Sequence, residues 1–192
     1  MMLPRLVATL VLSSVALAAC SKNEPPPEPA PTESTPAPQP TANTGSDAEA
    51  ERIAREEAAR RAAMEADRAA RATLADMIFF GYDQSALSAE AERTLAAKVQ
   101  VLRANATARI MIVGHADERG SLEYNVALGM RRALAAKEYI TGFGIDGSRI
   151  EVNSFGEERP LQPGSNESAW ARNRRDEFTV TAGPQMLVAP GS

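Results

Sequence analysis

The sequence predicts an α/β (α+β) two-layer sandwich, with helices covering one face of a small mixed sheet in the order βαβαβ(α)β. Three observations predict it. Arg109-Ile110-Met111-Ile112-Val113 is a nearly continuous apolar run, as suits a strand covered on both faces. Leu122, Val126, Gly129, Ala133, Ala136 and Ile140 step by 4, 3, 4, 3 and 4, which marks the core face of a helix. Arg149 to Phe155 alternates apolar and polar residues, the signature of a half-buried strand. Strand and helix signals that alternate in this way pack as layers around one core.

The remaining elements follow in order between residues 77 and 182. Met77 to Tyr82 is a short β-type run ending at Asp83. Ser88 is placed to cap a helix from Ala89 to about Arg103, with Ala91, Leu95, Val99 and Leu102 on one stripe. Gly142 and Gly144 stop the helix that begins near Leu122. After a loop with Pro160, Pro163 and Gly164, a short helix covers Glu167 to Arg172, and Phe178-Thr179-Val180 sits in a last strand. Residues 183–192 read as a flexible tail.

Before the domain lie three segments of different character. Residues 1–19 have one charge, Arg5, and an apolar run from Leu6 to Ala16. That run is too short to span a bilayer and suits a signal-peptide core. Leu17-Ala18-Ala19-Cys20 then looks like a lipobox, the signal of bacterial lipoproteins, with Cys20 as the lipidated residue. Ser21, rather than Asp, follows the cysteine. By resemblance to sorted lipoproteins this implies the outer membrane. Residues 21–46 hold eight of the 13 prolines and read as an extended linker reaching about 80 Å. Residues 47–75 contain 12 Ala, six Arg, five Glu and two Asp, with no Gly or Pro. This predicts a solvated single helix, supported by the pairs Glu51/Arg55, Glu56/Arg60 and Asp67/Arg71.

Composition excludes several classes. The 192-residue chain carries 21 Lys+Arg against 25 Asp+Glu, a formal net charge of -4, so it has no electrostatic footprint for nucleic acid. One cysteine and one histidine cannot build a Cys/His zinc site or an intrachain disulfide. His115 beside Asp117 invites a triad reading, but no G-x-S-x-G elbow exists, and a histidine ending a strand is read as structural. No catalysis and no cofactor are expected.

The motifs lie between the apolar strand and the helix after it. Gly114-His115-Ala116-Asp117-Glu118-Arg119-Gly120 is followed by Tyr124-Asn125 and by Ala127-Leu128-Gly129-Met130-Arg131-Arg132-Ala133. Ser154 to Pro160 and Asn173-Arg174-Arg175 follow. Here the chain resembles the OmpA C-terminal-like family, and most closely its peptidoglycan-associated lipoprotein branch. The family helix motif, N-x2-L-S-x2-R-A-x2-V-x3-L, is met at Asn125, Leu128, Arg132 and Ala133. It is departed from at Gly129, Ala136 and Ile140. Gly81 stands where the family usually has an acidic residue.

The resemblance implies noncovalent binding of the peptidoglycan stem peptide, chiefly its diaminopimelate. The free end of that residue bears an ammonium and a carboxylate on one carbon, and a fixed acid and a fixed arginine complement it. Asp117 is assigned to the ammonium and Arg132 to the carboxylate. Arg131 points about 100° away on the helix. Asn125, Leu128 and Arg132 share a helix face distinct from the core stripe. Tyr82, Asp83, Arg119 and Leu128 match other pocket positions of the family, with Tyr82 packing on the peptide and Asp83 accepting its hydrogen bonds. Asn173-Arg174-Arg175 would belong to the framework near the ligand, and Glu157, Glu158 and Arg159 read as exposed loop charges. The resemblance also implies docking to TolB within the Tol–Pal system. The alternative is a generic OmpA-like lipoprotein without a Tol role.

Overall fold

The computed structural model describes residues 44–191. The signal-like segment, Cys20 and the proline-rich stretch lie outside the described residues. Among the described residues four α-helices and four strands follow one another: α1 (Thr44–Ala75), β1 (Ile78–Phe79), α2 (Ala89–Ala104), β2 (Arg109–His115), α3 (Leu122–Gly142), β3 (Ile150–Gly156), α4 (Glu167–Asn173) and β4 (Arg175–Ala182), with a single 3-10 turn at Gly147–Arg149 before β3. The sheet order is β1-β4-β2-β3. β2 and β3 run parallel, while β4 is antiparallel to both β2 and β1. The sheet is therefore mixed, as predicted.

Local chemistry explains the ends of the helices. Ser88 accepts the Ala91 N–H at 3.2 Å and Ser121 accepts the Tyr124 N–H at 3.2 Å, each satisfying a donor that the first helical turn leaves open. α2 and α3 lay their apolar stripes on the face of the sheet that carries Ile110, Ile112, Ile150 and Phe178. Leu95, Val99, Leu102, Ala133, Ala136 and Ile140 complete one core with them. Leu122, the first member of the α3 stripe, is exposed instead, because the stripe reaches the sheet only one turn later.

α3 approaches β2 unusually closely. A Cβ on Gly114 would stand 1.9 Å from the Gly129 carbonyl oxygen, and one on Gly129 would stand 2.8 Å from the Gly114 oxygen. Only two glycines permit this contact. It fixes the helix bearing Asn125, Leu128 and Arg132 against the strand that leads to Asp117.

Two expectations are corrected. The charged helix was expected to stand free of a domain beginning near residue 77. It begins at Thr44, and its last turns belong to the core, with Leu74 only 1% exposed and Ala70 buried. Lys98 of α2 holds them there, donating from Nζ to the carbonyls of Thr73 (2.8 Å), Leu74 (2.9 Å) and Asp76 (2.5 Å). Three donors meet three helix-end acceptors. From Gly45 to Glu65 the helix is exposed. Glu51/Arg55 and Asp67/Arg71 pair as expected, whereas Glu56 pairs with Arg52.

The second correction concerns the C-terminal tail, which is strapped down over residues 185–188. Leu187 is 1% exposed and its N–H donates to Asp67 at 2.7 Å. The Val188 N–H donates to Asn105 Oδ1 at 2.9 Å, and Arg71 donates to the Gln185 carbonyl at 3.0 Å. One buried leucine with these polar anchors docks the segment between α1 and α2.

Candidate functional site

A cleft of about 450 Å³ opens where β2 ends and α3 begins. Tyr82, Asp83, Ala116, Asp117, Arg119, Gly120, Tyr124, Asn125, Leu128 and Arg132 line it. All seven residues singled out in the domain are therefore brought together. Asp117 comes from the loop after β2, Tyr82 and Asp83 from the turn after β1, and Asn125, Leu128 and Arg132 from one face of α3. Asp83 has φ of 53°, the only non-glycine among the described residues in the left-handed region. The 81–84 turn holds it there, a backbone cost of the kind that gathers at functional sites.

Asp117 and Arg132 share the cleft but do not pair with each other. The Asp117 carboxylate accepts the Arg119 N–H (3.1 Å) and Nε (3.0 Å) at Oδ1. It accepts Arg119 Nη2 (2.8 Å) and Arg174 Nη1 (3.3 Å) at Oδ2. Burial works against its charge, but the hydrogen bonds from Arg119 and Arg174 outweigh it and hold the carboxyl below the usual range.

Arg132 has no exposed surface. Its Nε donates to the Gln84 carbonyl (2.7 Å), Nη1 to His115 (2.7 Å) and Nη2 to Gly81 (3.1 Å), with Phe80 5.0 Å from the guanidinium. Burial lowers its pKa to about 10, against the pull of Asp176; it stays charged at neutral pH. Three of its five N–H donors are thus committed to the frame and two are left.

Other lining residues are fixed in turn. The Tyr124 hydroxyl donates to Asp83 in a short hydrogen bond, which raises the pKa of the phenol. Asn125 donates to Glu157 at 2.5 Å and to the Arg119 carbonyl at 3.3 Å. Glu157 is therefore part of the frame rather than a free loop charge, because it lies against the buried Asn125 of α3. Arg174 donates to the Phe80 carbonyl (3.0 Å) and to Glu167 (2.7 Å), so it does belong to the framework behind the cleft.

Sequence reasoning did not assign Tyr124 to the cleft. Its spacing could have done so, since Tyr124, Leu128 and Arg132 follow at i, i+4 and i+8. Trp170 was also missed, and no local pattern points to it. His115 is buried, with neither ring nitrogen hydrogen-bonded. Burial first, and Arg175 next, depress its pKa to about 4. That is the behaviour of a neutral packing histidine. Among the described residues no cluster of three or more His, Cys, Asp or Glu could hold a metal ion.

The OmpA family model matches residues 79–174, half of the chain, from β1 through α4. This chain belongs to the OmpA family. Among its relatives in that family, the peptidoglycan-associated lipoprotein of Mesorhizobium japonicum is 43% identical over 108 residues, 56% of this chain and 64% of that protein. That of Pseudomonas putida is 45% identical over 100 residues, 52% of this chain and 60% of that protein. The chain thus spans 60% to 64% of the length of these two curated relatives. The crystal structure of the peptidoglycan-associated lipoprotein from Burkholderia pseudomallei is 32% identical. It superposes with a TM-score of 0.54 over 55% of this chain and 89% of that one. The C-terminal domain of Helicobacter pylori MotB shares the fold at 17% identity and a TM-score of 0.50.

Proposed function

We propose that this OmpA-family chain binds peptidoglycan without chemistry, by gripping the free zwitterionic end of diaminopimelate. The observation that carries the reading is the convergence of Tyr82, Asp83, Asp117, Arg119, Asn125, Leu128 and Arg132 on one cleft. Asp117 takes the ammonium, and the two uncommitted N–H donors of Arg132 take the carboxylate. Tyr82 packs on the peptide, and Asp83, steadied by Tyr124, accepts a hydrogen bond from it. The relatives named as peptidoglycan-associated lipoproteins support this reading. So does the fit between a fixed acid, a fixed arginine and a zwitterion.

The wider role follows from Cys20 and the segments after it. Lipidated at Cys20, the chain is held to the outer membrane with its domain facing the periplasm. The linker and α1 give it reach to the cell wall. Docking to TolB places it in the Tol–Pal system, which supports envelope integrity and draws the outer membrane inward at division.

Co-sedimentation of the full chain with purified sacculi tests the centre of this reading. Wild type should pellet and Asp117→Asn should not, since losing one partner of a desolvated charge pair costs about 2–5 kcal/mol. A folded Asp117→Asn chain that pellets like wild type, or a wild type that stays in solution, would overturn it. Recovery of TolB with the full chain, from cells or from pure components, tests the Tol–Pal role separately.

A further inference from the structure

Asp117 is saturated. Its two oxygens accept four hydrogen bonds, three from Arg119 and one from Arg174, which is the capacity of a carboxylate. A ligand ammonium can reach it only by displacing a donor. Arg174 is a poor candidate, since its side chain is 7% exposed and is also tied to Phe80 and Glu167. The Arg119 side chain is 29% exposed, and beyond Asp117 it meets the exposed Glu167 carboxylate at 3.9 Å and two aromatic faces. Its guanidinium lies 4.0 Å from the Tyr82 ring centroid and 4.1 Å from that of Trp170. The indole is itself fixed, because Trp170 Nε1 donates to Glu118 at 3.2 Å.

A guanidinium between two rings is held across its faces and free along its plane. We propose that Trp170 is a positioning residue of the cleft: with Tyr82 it forms a slot in which Arg119 slides in its own plane, yielding Asp117 to the ligand's ammonium and sharing the ligand's carboxylate with Arg132. This rests on the zwitterion reading of the site. It adds a reason for selectivity. An ammonium that carries a carboxylate on the same carbon gives Arg119 a new anion in exchange for Asp117. An ammonium without one leaves Arg119 between the rings with only the more distant and solvent-exposed Glu167 carboxylate, at 3.9 Å, as its anion. The slot thus selects diaminopimelate over a simple alkylamine, and the selection depends on α4, which lines no part of the cleft.

The experiment uses the full chain with meso-diaminopimelate and with Nα-acetyl-lysine amide, whose amine shares its carbon with no carboxylate. Calorimetry gives the ratio of the two affinities. Trp170 is the only tryptophan, so its emission reports whether the guanidinium moves. In wild type, diaminopimelate should change the emission with the same midpoint as the heat. Trp170→Leu should lower the affinity ratio about fivefold, the worth of one cation–π contact. Trp170→Phe should keep the ratio within about twofold. A merely structural tryptophan would weaken both ligands alike and leave the ratio unmoved. Binding with silent emission, or an unchanged ratio in Trp170→Leu, overturns the sliding slot and leaves the zwitterion reading standing. No heat with diaminopimelate in wild type overturns the zwitterion reading, and the slot falls with it.

Discussion

Arg132 donates to the carbonyl of Gln84 at 2.7 Å across 48 positions of sequence, joining α3 to the turn that carries Tyr82 and Asp83. Together with its bonds to His115 and Gly81, this makes the side chain a tie for three segments of the cleft as well as one of its walls. Arg132→Ala strips donors from three carbonyls. At about 1–3 kcal/mol for each buried polar group left unsatisfied, a loss of roughly 3 kcal/mol or more is expected. Urea unfolding of wild type and Arg132→Ala checks it. A difference under about 1 kcal/mol would show that the carbonyls are rehydrated without cost. Binding assays on this variant, as on Asp117→Asn, therefore need a matched measurement of fold.

Lys98 makes a similar tie for α1. Its ammonium is fully buried, and burial lowers its pKa to about 8. It satisfies the carbonyls of Thr73, Leu74 and Asp76 and lies 4.2 Å from the Phe178 ring centroid. Lys98→Met keeps much of the stem's volume and removes all three donors. A loss of about 3 kcal/mol is expected, with faster amide exchange in the last turn of α1. Exchange there that stays as slow as in wild type would mean that Ala70 and Leu74 dock the helix without help.

Much of this was legible in the sequence, and the rest was hidden for physical reasons. The strand at Arg109–His115 and the stripe on α3 are local periodicities, and periodicity survives folding. The cleft residues were legible through the family resemblance, whose motifs hold Asp117, Asn125, Leu128 and Arg132; spacing alone would have left Asp117 and Arg132 as a structural ion pair. Lys98 was not, since a lysine inside an amphipathic helix is ordinarily a solvated one. Leu74 and Leu187 were read as parts of a spacer and of a tail. A single apolar residue in a polar stretch shows no period, and its burial depends on a groove made by distant segments. Trp170 reaches Arg119 only through the fold. Gly129 looked like a simple departure from a motif serine, but a Cβ there would stand 2.3 Å from Ser154 Oγ and 2.8 Å from the Gly114 oxygen.

That approach yields a direct expectation. In Gly114→Ala the new Cβ would stand 1.9 Å from the Gly129 oxygen and 2.5 Å from its carbonyl carbon. Both are backbone atoms, so α3 must move away from β2. Overpacking of this kind costs typically 1–3 kcal/mol and occasionally more, and the upper end is expected here. The same shift separates Asp117 from the α3 face of the cleft, so sacculus binding should fall beyond what the lost stability explains. A Gly114→Ala chain with wild-type melting and wild-type binding would contradict the close contact.

Asp176 gives the last expectation. It stands on the core face of β4, opposite Ile78 on β1 and Gly114 on β2, and has no exposed surface. Neither carboxylate oxygen is hydrogen-bonded. Burial raises its pKa well above the ordinary value, against the attraction of Arg132 on α3. Phe178, the next residue on the same face, lies under the Lys98 ammonium of α2. A carboxyl whose folded pKa exceeds its unfolded value of about 3.9 holds its proton more tightly in the fold. Its contribution is then complete below about pH 4 and is lost as pH climbs through the folded value. Asp176→Asn is neutral at every pH. Subtracting the two stability curves cancels the opposite trend of carboxylates such as Asp117, whose pKa is lowered. The variant should therefore gain on wild type as pH rises from 4, by at most about 1.4 kcal/mol per pH unit. Urea unfolding of both proteins between pH 4 and 8 checks the slope. A difference that is flat, or that turns against the variant as pH rises, would mean that Arg132 keeps Asp176 ionised and that the two form a buried ion pair.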